Sequence, residues 1–431
     1  MLSGTERRPL PRSLYADTAR SAPAEAVLNG DLTTEVVIVG GGFTGLSTAL
    51  HLAEAGVSAV VLEANEPGWG ASGRNGGQVN PGLKWTPDQL EAAFGSELGG
   101  RMVRMGGEAP DLVFDLIARH GIACEPVRGG TIRAAGGRKS EAGIRDFQAQ
   151  WQSRGVDITL LDRAGMESEV GTDAYALGCI DRRGGNLNPL GYARGLAEAA
   201  LKAGVQIFSS TRALKLTRSN GRWQVVTPRG TVTATRVVLA TNGYSDDLWP
   251  GLRRSIVPVY SSIAATAQLS PNLAASIMPN RPSLYEMSAT YAYYRIDAHN
   301  RLLMGGRSVM RDSGNFSDYR TLIAYAEKLF PAIEGIEWTH CWNGQVAITP
   351  DSLPHVHEPA DGLHIGLGYN GRGVAMATAI GRMLARRAAG GSAEELDLPV
   401  TRISPMFGHF AWPLAVKARL VWETFRERAG V

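Results

Sequence analysis

Gly40, Gly42 and Gly45 stand directly after a run of aliphatic residues, and Glu63 closes the next such run. Residues of these types at this spacing can bind a pyrophosphate and a ribose. Gly40 permits a tight turn, Gly42 lets a pyrophosphate approach the backbone, and Gly45 lets a helix pack close to the strand before it. Phe43 and Thr44 fall in the first turn of that helix, where free N–H groups and the positive end of the helix dipole attract phosphate. Glu63 is placed to accept hydrogen bonds from a ribose diol. Ala64 and Asn65 follow it, so no neighbouring cation is at hand for a 2′-phosphate. A second stretch asks for another explanation. GWGASGRNGGQVNPG, residues 68–82, holds six glycines and almost no apolar side chain. It is either a slack linker or a backbone that must come close to something other than protein.

The elements that position these residues are legible around them. Val36–Val39 is continuously apolar, as a strand buried on both faces should be. Leu46, Ala49, Leu50 and Ala53 make one face of a helix that Gly56 ends, and Val57–Leu62 is a second apolar strand. Strand, glycine turn, helix, strand and acid together make a dinucleotide-binding unit. Gly366, Gly368 and Gly371 repeat the glycine spacing, but no apolar strand ending in an acid follows them. This second pattern therefore lacks the ribose-binding half expected of an NAD site. The alternative is a helix whose N-terminus, at Gly371–Val374, faces the far end of a flavin cofactor and stabilises the negative charge of the reduced ring; a plain glycine-rich loop before a core helix is the bland reading. Between the two patterns, Asn188 and Pro189 start an amphipathic helix, and a hairpin returns to the strand Val237–Ala240. The turn that follows, Thr241-Asn242-Gly243, can lie under the dinucleotide.

The whole chain has 431 residues, 44% of them apolar and 20% charged, with a net charge of +3. This suits a soluble protein of two domains, possibly interleaved, and its charge shows no nucleic-acid footprint. Cys124, Cys179 and Cys341 are far apart and form no CxxC, which fits a reduced, cytoplasmic protein. No apolar stretch is long enough for a membrane span, and the N-terminus has no signal-peptide pattern. Residues 1–33 read as an extended arm. His355 and His357 are the closest histidine pair, and without HExxH or a cysteine partner no metal site is expected. No GxSxG elbow occurs. FAWPLAVKARLVWETFRERAG, residues 410–430, reads as a basic amphipathic helix packed on the domain, with contact to a membrane or partner as the alternative.

Four stretches, GWGASGRNGGQV, ATNGYS, WNGQVAITPDSLP and GLGYNGRGVAMATAIG, carry a family resemblance over roughly residues 12–390. The sequence resembles the FAD-dependent amino-acid and amine oxidoreductases related to D-amino-acid oxidase, glycine oxidase and sarcosine oxidase, and most of all their γ-glutamylputrescine oxidase-like branch. The resemblance implies an α/β fold: a glutathione-reductase-like, Rossmann-type FAD domain with an inserted α+β substrate domain on an antiparallel or mixed sheet. The FAD domain would comprise residues 34–90, 181–255 and 345–390, and the substrate domain 91–180 and 256–344, with a C-terminal extension at 391–431. It implies that the glycine-rich loop crosses the diphosphate and reaches the flavin ring, bringing Gly70, Ala71, Ser72, Arg74, Asn75, Gly76, Gly77 and Gln78 to the cofactor. Arg74 would be the charge near the flavin. Ala213, Ala240, Thr241, Asn242, Gly243, Gly344, Gly368, Asn370, Gly371, Gly373 and Val374 complete the expected cofactor set. Cys341, ten residues before Asp351, stands too far upstream of the TPD segment to be the cysteine that carries covalent flavin in sarcosine oxidases, so noncovalent FAD is expected.

On the substrate side, Tyr291 and Tyr293 share one face of a strand and Tyr294 the other. Tyr291 and Tyr293, with Trp342 and Tyr369, are candidate walls of a pocket for an amine, because aromatic rings exclude water and attract a cation; ordinary sheet packing is the alternative. Sarcosine oxidase-like members carry a lysine after the final glycine turn that holds a substrate carboxylate. Ala375 takes that position here and Arg372 stands at the preceding histidine position, so the clamp is missing unless Arg372 replaces it. The implied reaction oxidises the C–N bond of a polyamine-like or γ-glutamylated amine. Hydride passes to flavin N5, the imine is hydrolysed to an aldehyde, and O₂ reoxidises the flavin to give H₂O₂. The alternatives are a D-amino-acid, glycine or N-methyl amino-acid oxidase or dehydrogenase, and a non-catalytic flavin-binding accessory subunit. No lysine occurs between Lys215 and Lys328, so an oxygen-activating lysine is not evident in the middle segment.

Overall fold

Side chains of Leu32–Val39 alternate between two apolar layers, and that alternation organises the first half of the molecule. Val36 and Ile38 enter a core shared with the helix Phe43–Glu54, while Val37 and Val39 enter a second core on the opposite face. The computed structural model describes residues 8–24, 26–287 and 292–414, together with Val416, Ala418 and Trp422. In the first sheet, Leu32–Val39 pairs in parallel with Gly230–Leu239 on one side and Ala59–Leu62 on the other. Leu363–Leu367 and Gln206–Phe208 extend it in parallel, and the hairpin Lys215–Ser219 and Arg222–Thr227 adds to Gly230–Leu239. The helix Gly373–Ala388 crosses Phe43–Glu54 closely. Ser47 donates to the Thr378 carbonyl at 2.8 Å and Thr48 to that of Gly381 at 3.1 Å, contacts that only small residues permit.

The second sheet, among the described residues, runs Trp338–Ile348, Val257–Thr266, Leu302–Gly306, Tyr293–Ile296, Ser283–Met287, Thr131–Ala135, Leu177–Asp181 and Ile158–Asp162. Its one parallel pair is Ser283–Met287 with Thr131–Ala135, and its other pairs are antiparallel. Pleating sends Tyr294 into this sheet's own core, 0% exposed and edge-on to Phe330, and Tyr293 to the opposite side. Two elements run across positions where the sequence reading set domain limits. The helical stretch Pro87–His120, broken at Gly95, packs on the core of the first sheet's helices. Trp338–Ile348 stays in the second sheet to its end, with Gly344 and Gln345 paired to Ser261 and Tyr260.

The N-terminal arm is not wholly extended. Leu14–Thr18 is helical, with the Ser13 hydroxyl accepting the Ala16 N–H, and Leu14 and Tyr15 are buried. The basic C-terminal segment lies largely outside the described residues; of those described there, Phe410, Leu414 and Trp422 are exposed. Among the described residues no helix is long and apolar enough to cross a membrane.

Candidate active site

At the carboxyl ends of the first sheet's parallel strands the chain encloses a cavity of about 1460 Å³ that reaches the second sheet. That exceeds the roughly 300–1,000 Å³ of an ordinary small-molecule pocket and leaves room for a cofactor and a substrate together. The switch of strand order beside Leu32–Val39 puts the crevice where open α/β sheets bind their ligands.

One end is built by the first glycine motif. Gly40, Gly42, Phe43 and Thr44 line it. The helix behind them has no acidic residue in its first turn, and its N-cap, Gly42, has no side chain with which to cap it. Gly45 does not face the cavity; it is where helix meets strand, since a Cβ there would fall 1.9 Å from the Gly40 carbonyl oxygen. Glu63 lines the same end and accepts the Gly41 N–H at 2.7 Å and the Asn65 N–H at 2.8 Å, one on each oxygen. Burial pushes its carboxyl above the usual range and these N–H groups pull it back. Lone pairs remain on both oxygens for a ribose diol. Ala64, Ala213, Ala240, Thr241 and Asn242 complete this end. The sequence neighbours of Glu63 supply no cation, but the fold brings Arg8 and Arg212 to the same wall, Arg212 paired with Asp246 at 2.7 Å.

The glycine-rich loop runs along the cavity. Gly70, Ala71, Ser72, Arg74, Asn75, Gly76 and Gln78 line it. Ser72 accepts the Phe43 N–H at 2.9 Å and so ties the loop to the helix N-terminus. Arg74 is 4% exposed, its guanidinium 4.7 Å from the Trp69 ring centroid and its Nη2 donating to Tyr244 at 2.6 Å. Approach to a cofactor explains only part of the glycine content. A Cβ on Gly68 would meet Ala193, one on Gly76 the Tyr293 ring, and one on Gly77, at φ 71°, the Leu187 carbonyl. Much of the bareness lets the loop lie flat on protein. The expected polar contacts are partly used within the chain as well: Asn75 bonds Ala71, Ser72 and Gly77, and Gln78 donates to the Leu284 carbonyl. Gly77 is not in the cavity wall, nor are Gly243 and Gly368, which shape turns behind it.

The other end is formed by the N-terminus of Gly373–Ala388. Asn370, Gly371, Gly373 and Val374 line it, and Gly344 faces it from the second sheet. This helix also has no acidic residue in its first turn and no side-chain cap. Two helix N-termini without carboxylates, a buried glutamate with acceptor capacity and a thin loop between them form a donor set that fits FAD. None of the described cavity-lining residues is a cysteine or a histidine. Cys341 faces the second sheet's core, where burial pushes its thiol up to about 11. Among the described residues no three His, Cys, Asp or Glu side chains gather to hold a metal.

Of the expected aromatic walls, Tyr293 and Tyr369 line the cavity. The Tyr293 hydroxyl bonds Ser261 at 2.8 Å, and that of Tyr369 bonds Thr44 at 2.5 Å. Tyr291 lies outside the described residues. Trp342 is not a wall. It is buried against Tyr15 of the N-terminal arm, ring centroids 5.0 Å apart, and its indole N–H donates to the Arg74 carbonyl at 3.0 Å. The arm covers the face that the sequence reading left open to substrate, so Trp342 positions the loop instead.

Arg372 lines the cavity while Ala375 is buried without access to it. Sequence reasoning missed the company Arg372 keeps. Its Nη2 donates to the Tyr285 hydroxyl at 3.0 Å and its Nη1 to the Pro81 carbonyl at 2.7 Å. Arg133 donates from Nε to the same hydroxyl at 2.7 Å. Burial pushes the Tyr285 phenol up, but the two guanidiniums outweigh it and its pKa falls below the ordinary value. Lys84 lines the cavity beside them. It meets solvent there, yet protein surrounds it on most sides, and desolvation with the nearby Arg372 brings its ammonium down to about 8. The signal for Arg133 was in plain view: an arginine in the otherwise uncharged strand TIRAA.

A family model described as FAD dependent oxidoreductase, DAO, matches residues 35–387. Gamma-glutamylputrescine oxidoreductase of Escherichia coli is 32% identical over 387 residues, 89% of this chain and 90% of that protein. A probable oxidoreductase, OrdL, of Haemophilus influenzae is 33% identical over 388 residues, 88% of each chain. Among solved structures, glycine oxidase from Geobacillus kaustophilus superposes with a TM-score of 0.72 at 22% identity, over 86% of this chain and 99% of that one, which is a likeness of fold.

Proposed function

The chain belongs to the DAO family of FAD-dependent oxidoreductases, and from that premise we propose that it oxidises the C–N bond of an amine, polyamine-like or γ-glutamylated, to an imine that water hydrolyses to an aldehyde. The observation that carries this reading is one continuous cavity running from the dinucleotide motif at Gly40–Glu63 to a chamber under the second sheet walled by Tyr293 and the Arg372 cluster. Overall similarity to an E. coli protein named for gamma-glutamylputrescine supports the amine class.

Bound FAD supplies the two-electron acceptor, taking a hydride from the carbon that bears the nitrogen. This chain's residues bind, orient and shield. Gly40, Gly42 and the first turn of Phe43–Glu54 offer N–H groups to the diphosphate, and Glu63 takes the ribose hydroxyls. The uncapped N-terminus of Gly373–Ala388 presents positive charge to the far end of the cofactor. Tyr293 and Tyr369, with hydroxyls engaged by Ser261 and Thr44, turn their rings to the cavity and exclude water. The absence of cysteine and histidine from the described cavity wall supports a noncovalently held cofactor. Dioxygen is the proposed terminal acceptor, giving H₂O₂. Three free, buried cysteines support a reducing compartment, the cytoplasm.

Anaerobic titration of the FAD-loaded protein with a panel of amines and amino acids is the test. An amine is expected to bleach the visible flavin band, and readmitted air to restore it with release of H₂O₂. A panel in which no amine bleaches the band refutes amine oxidation.

A further inference from the structure

Bulky apolar side chains that reach solvent are scattered over most of the described chain, where Leu214, Met287 and Phe316 are each less than half exposed. After Val400 they gather. Phe407 is fully exposed, Phe410 89% and Leu414 70%, all within eight positions of sequence, and Trp422 follows at 60%. The stretch is nevertheless attached to the protein. The Met406 N–H donates to the Arg254 carbonyl at 2.9 Å, and the His409 Nε2–H donates to that of Ile256 at 2.8 Å. Pro405 lies so close to Gly251 that a Cβ there would meet its Cγ at 2.8 Å. Met406 and Val416 turn inward and line the cavity. One side of the stretch is therefore docked beside the cavity while Phe407, Phe410 and Leu414 face outward. Apolar surface gathered in this way marks a face that something else covers.

The charge around these side chains selects what covers them. Asp246, Asp247 and Glu358, the nearby carboxylates, are already paired with Arg212, Arg253 and Arg387. Arg254, whose backbone carries Met406, and Arg402, which shares a surface groove with Ile403 and Pro405, are exposed and have no carboxylate partner among the described residues. The sequence then adds Lys417, Arg419, Arg426 and Arg428 against Glu423 and Glu427, all outside the described residues.

We propose that this patch seats the protein on an anionic lipid surface, with Phe407, Phe410 and Leu414 entering the headgroup region and Arg254 and Arg402 meeting lipid phosphate. Aromatic and aliphatic side chains beside unpaired arginines are the composition that such an interface takes. A second copy of the chain does not supply the complement, because a two-fold contact through this patch sets the same cations against each other. The proposal is independent of the amine-oxidation reading and adds a place of work to it.

The test uses the FAD-loaded full chain in three forms: native, Phe407→Ser with Phe410→Ser, and Arg254→Gln with Arg402→Gln. Each is sedimented with vesicles of equal parts phosphatidylglycerol and phosphatidylcholine, and with vesicles of phosphatidylcholine alone. All four side chains are exposed, so both double variants are expected to keep the native melting temperature and their FAD. Leu414→Ser, a single change, stands in for the phenylalanine pair should that pair melt early. The native protein is expected to pellet with the anionic vesicles and to bind the neutral ones roughly tenfold less well, the difference shrinking in high salt. Each double variant should lose roughly tenfold or more of the binding to anionic vesicles. Failure of the native protein to pellet with anionic vesicles, equal binding to both kinds, or native binding kept by either double variant overturns the proposal. Self-association in sedimentation velocity that the phenylalanine pair abolishes, without vesicle binding, assigns the face to a second copy and also overturns it.

Discussion

Gly45→Ala tests whether the first glycine motif is held by close packing as well as by its affinity for phosphate. A Cβ at this position would fall 1.9 Å from the Gly40 carbonyl oxygen and 3.2 Å from Ile38 Cγ2. Ordinary van der Waals contact begins near 3.4 Å, so helix and turn must separate by about 1.5 Å at this point. The nearer partner is backbone and the other belongs to the buried Ile38, so neither can swing aside. Overpacking of this kind costs about 1–3 kcal/mol, here at the upper end, and the better helix propensity of alanine returns about 1 kcal/mol. The expected net loss is about 2 kcal/mol. Gly100→Ala is the matched control: it is also helical, but its Cβ would meet only the Arg104 guanidinium, at 3.6 Å. It should stabilise by about 0.4–1 kcal/mol. Urea unfolding of the FAD-free proteins measures the stability difference, and fluorescence titration with FAD measures affinity. Because the shift moves the N–H groups of the helix N-terminus, Gly45→Ala should also weaken FAD binding by roughly tenfold, the equivalent of about 1.4 kcal/mol. A Gly45→Ala protein as stable as its parent and as tight for FAD refutes the packing argument.

Other expectations follow from the same geometry. Trp342→Phe removes the N–H that holds the Arg74 carbonyl and should cost about 1–3 kcal/mol of stability with loss of retained FAD, while KM for the amine moves little; a selective rise in KM would return Trp342 to the substrate wall. Ser72→Ala leaves the Phe43 N–H without its partner and should cost about 1 kcal/mol, read as weaker FAD binding. Lys84 links pH to stability. Its folded pKa of about 8 lies below the ordinary 10.5, because desolvation by the protein around its cavity-facing side chain and the facing Arg372, Arg133 and Arg307 outweigh the favourable Tyr285. Folding thus disfavours its charged form. The cost is fully present below pH 8 and fades as pH rises from 8 towards 10.5, so the stability gap between Lys84→Met and the native protein should narrow across that window in thermal melts.

How much of this was legible in the sequence depended on how locally each feature is encoded. The first motif was readable because its parts are successive: Val36–Val39, the glycines, the helix face and Glu63 lie within one βαβ unit and fold against each other. The second glycine pattern was read by what fails to follow it, and its helix does begin at the cavity. Strand alternation separated Tyr293 from Tyr294 because a pleat needs no tertiary information.

The features that went unread are all made by distant segments meeting. Trp342 looks like a pocket wall until the arm at Leu14–Tyr15 covers it. Glu63 has no cation beside it in sequence, yet Arg8 and Arg212 share its wall. The glycines of residues 68–82 invite a ligand explanation until Leu187, Ala193 and Tyr293 are seen against them. The cationic wall shows the point most fully, because Lys84, Arg133, Tyr285 and Arg372 come from four separate stretches and only Arg372 lies in a motif. What marks them as a site is a charge balance that closes only when the chain is folded: three cations, no carboxylate partner among the described residues, and one shared phenol. A local pattern can therefore assign the cofactor, which every member of a fold must grip with backbone. The substrate side of the cavity is built by side chains that sequence keeps apart.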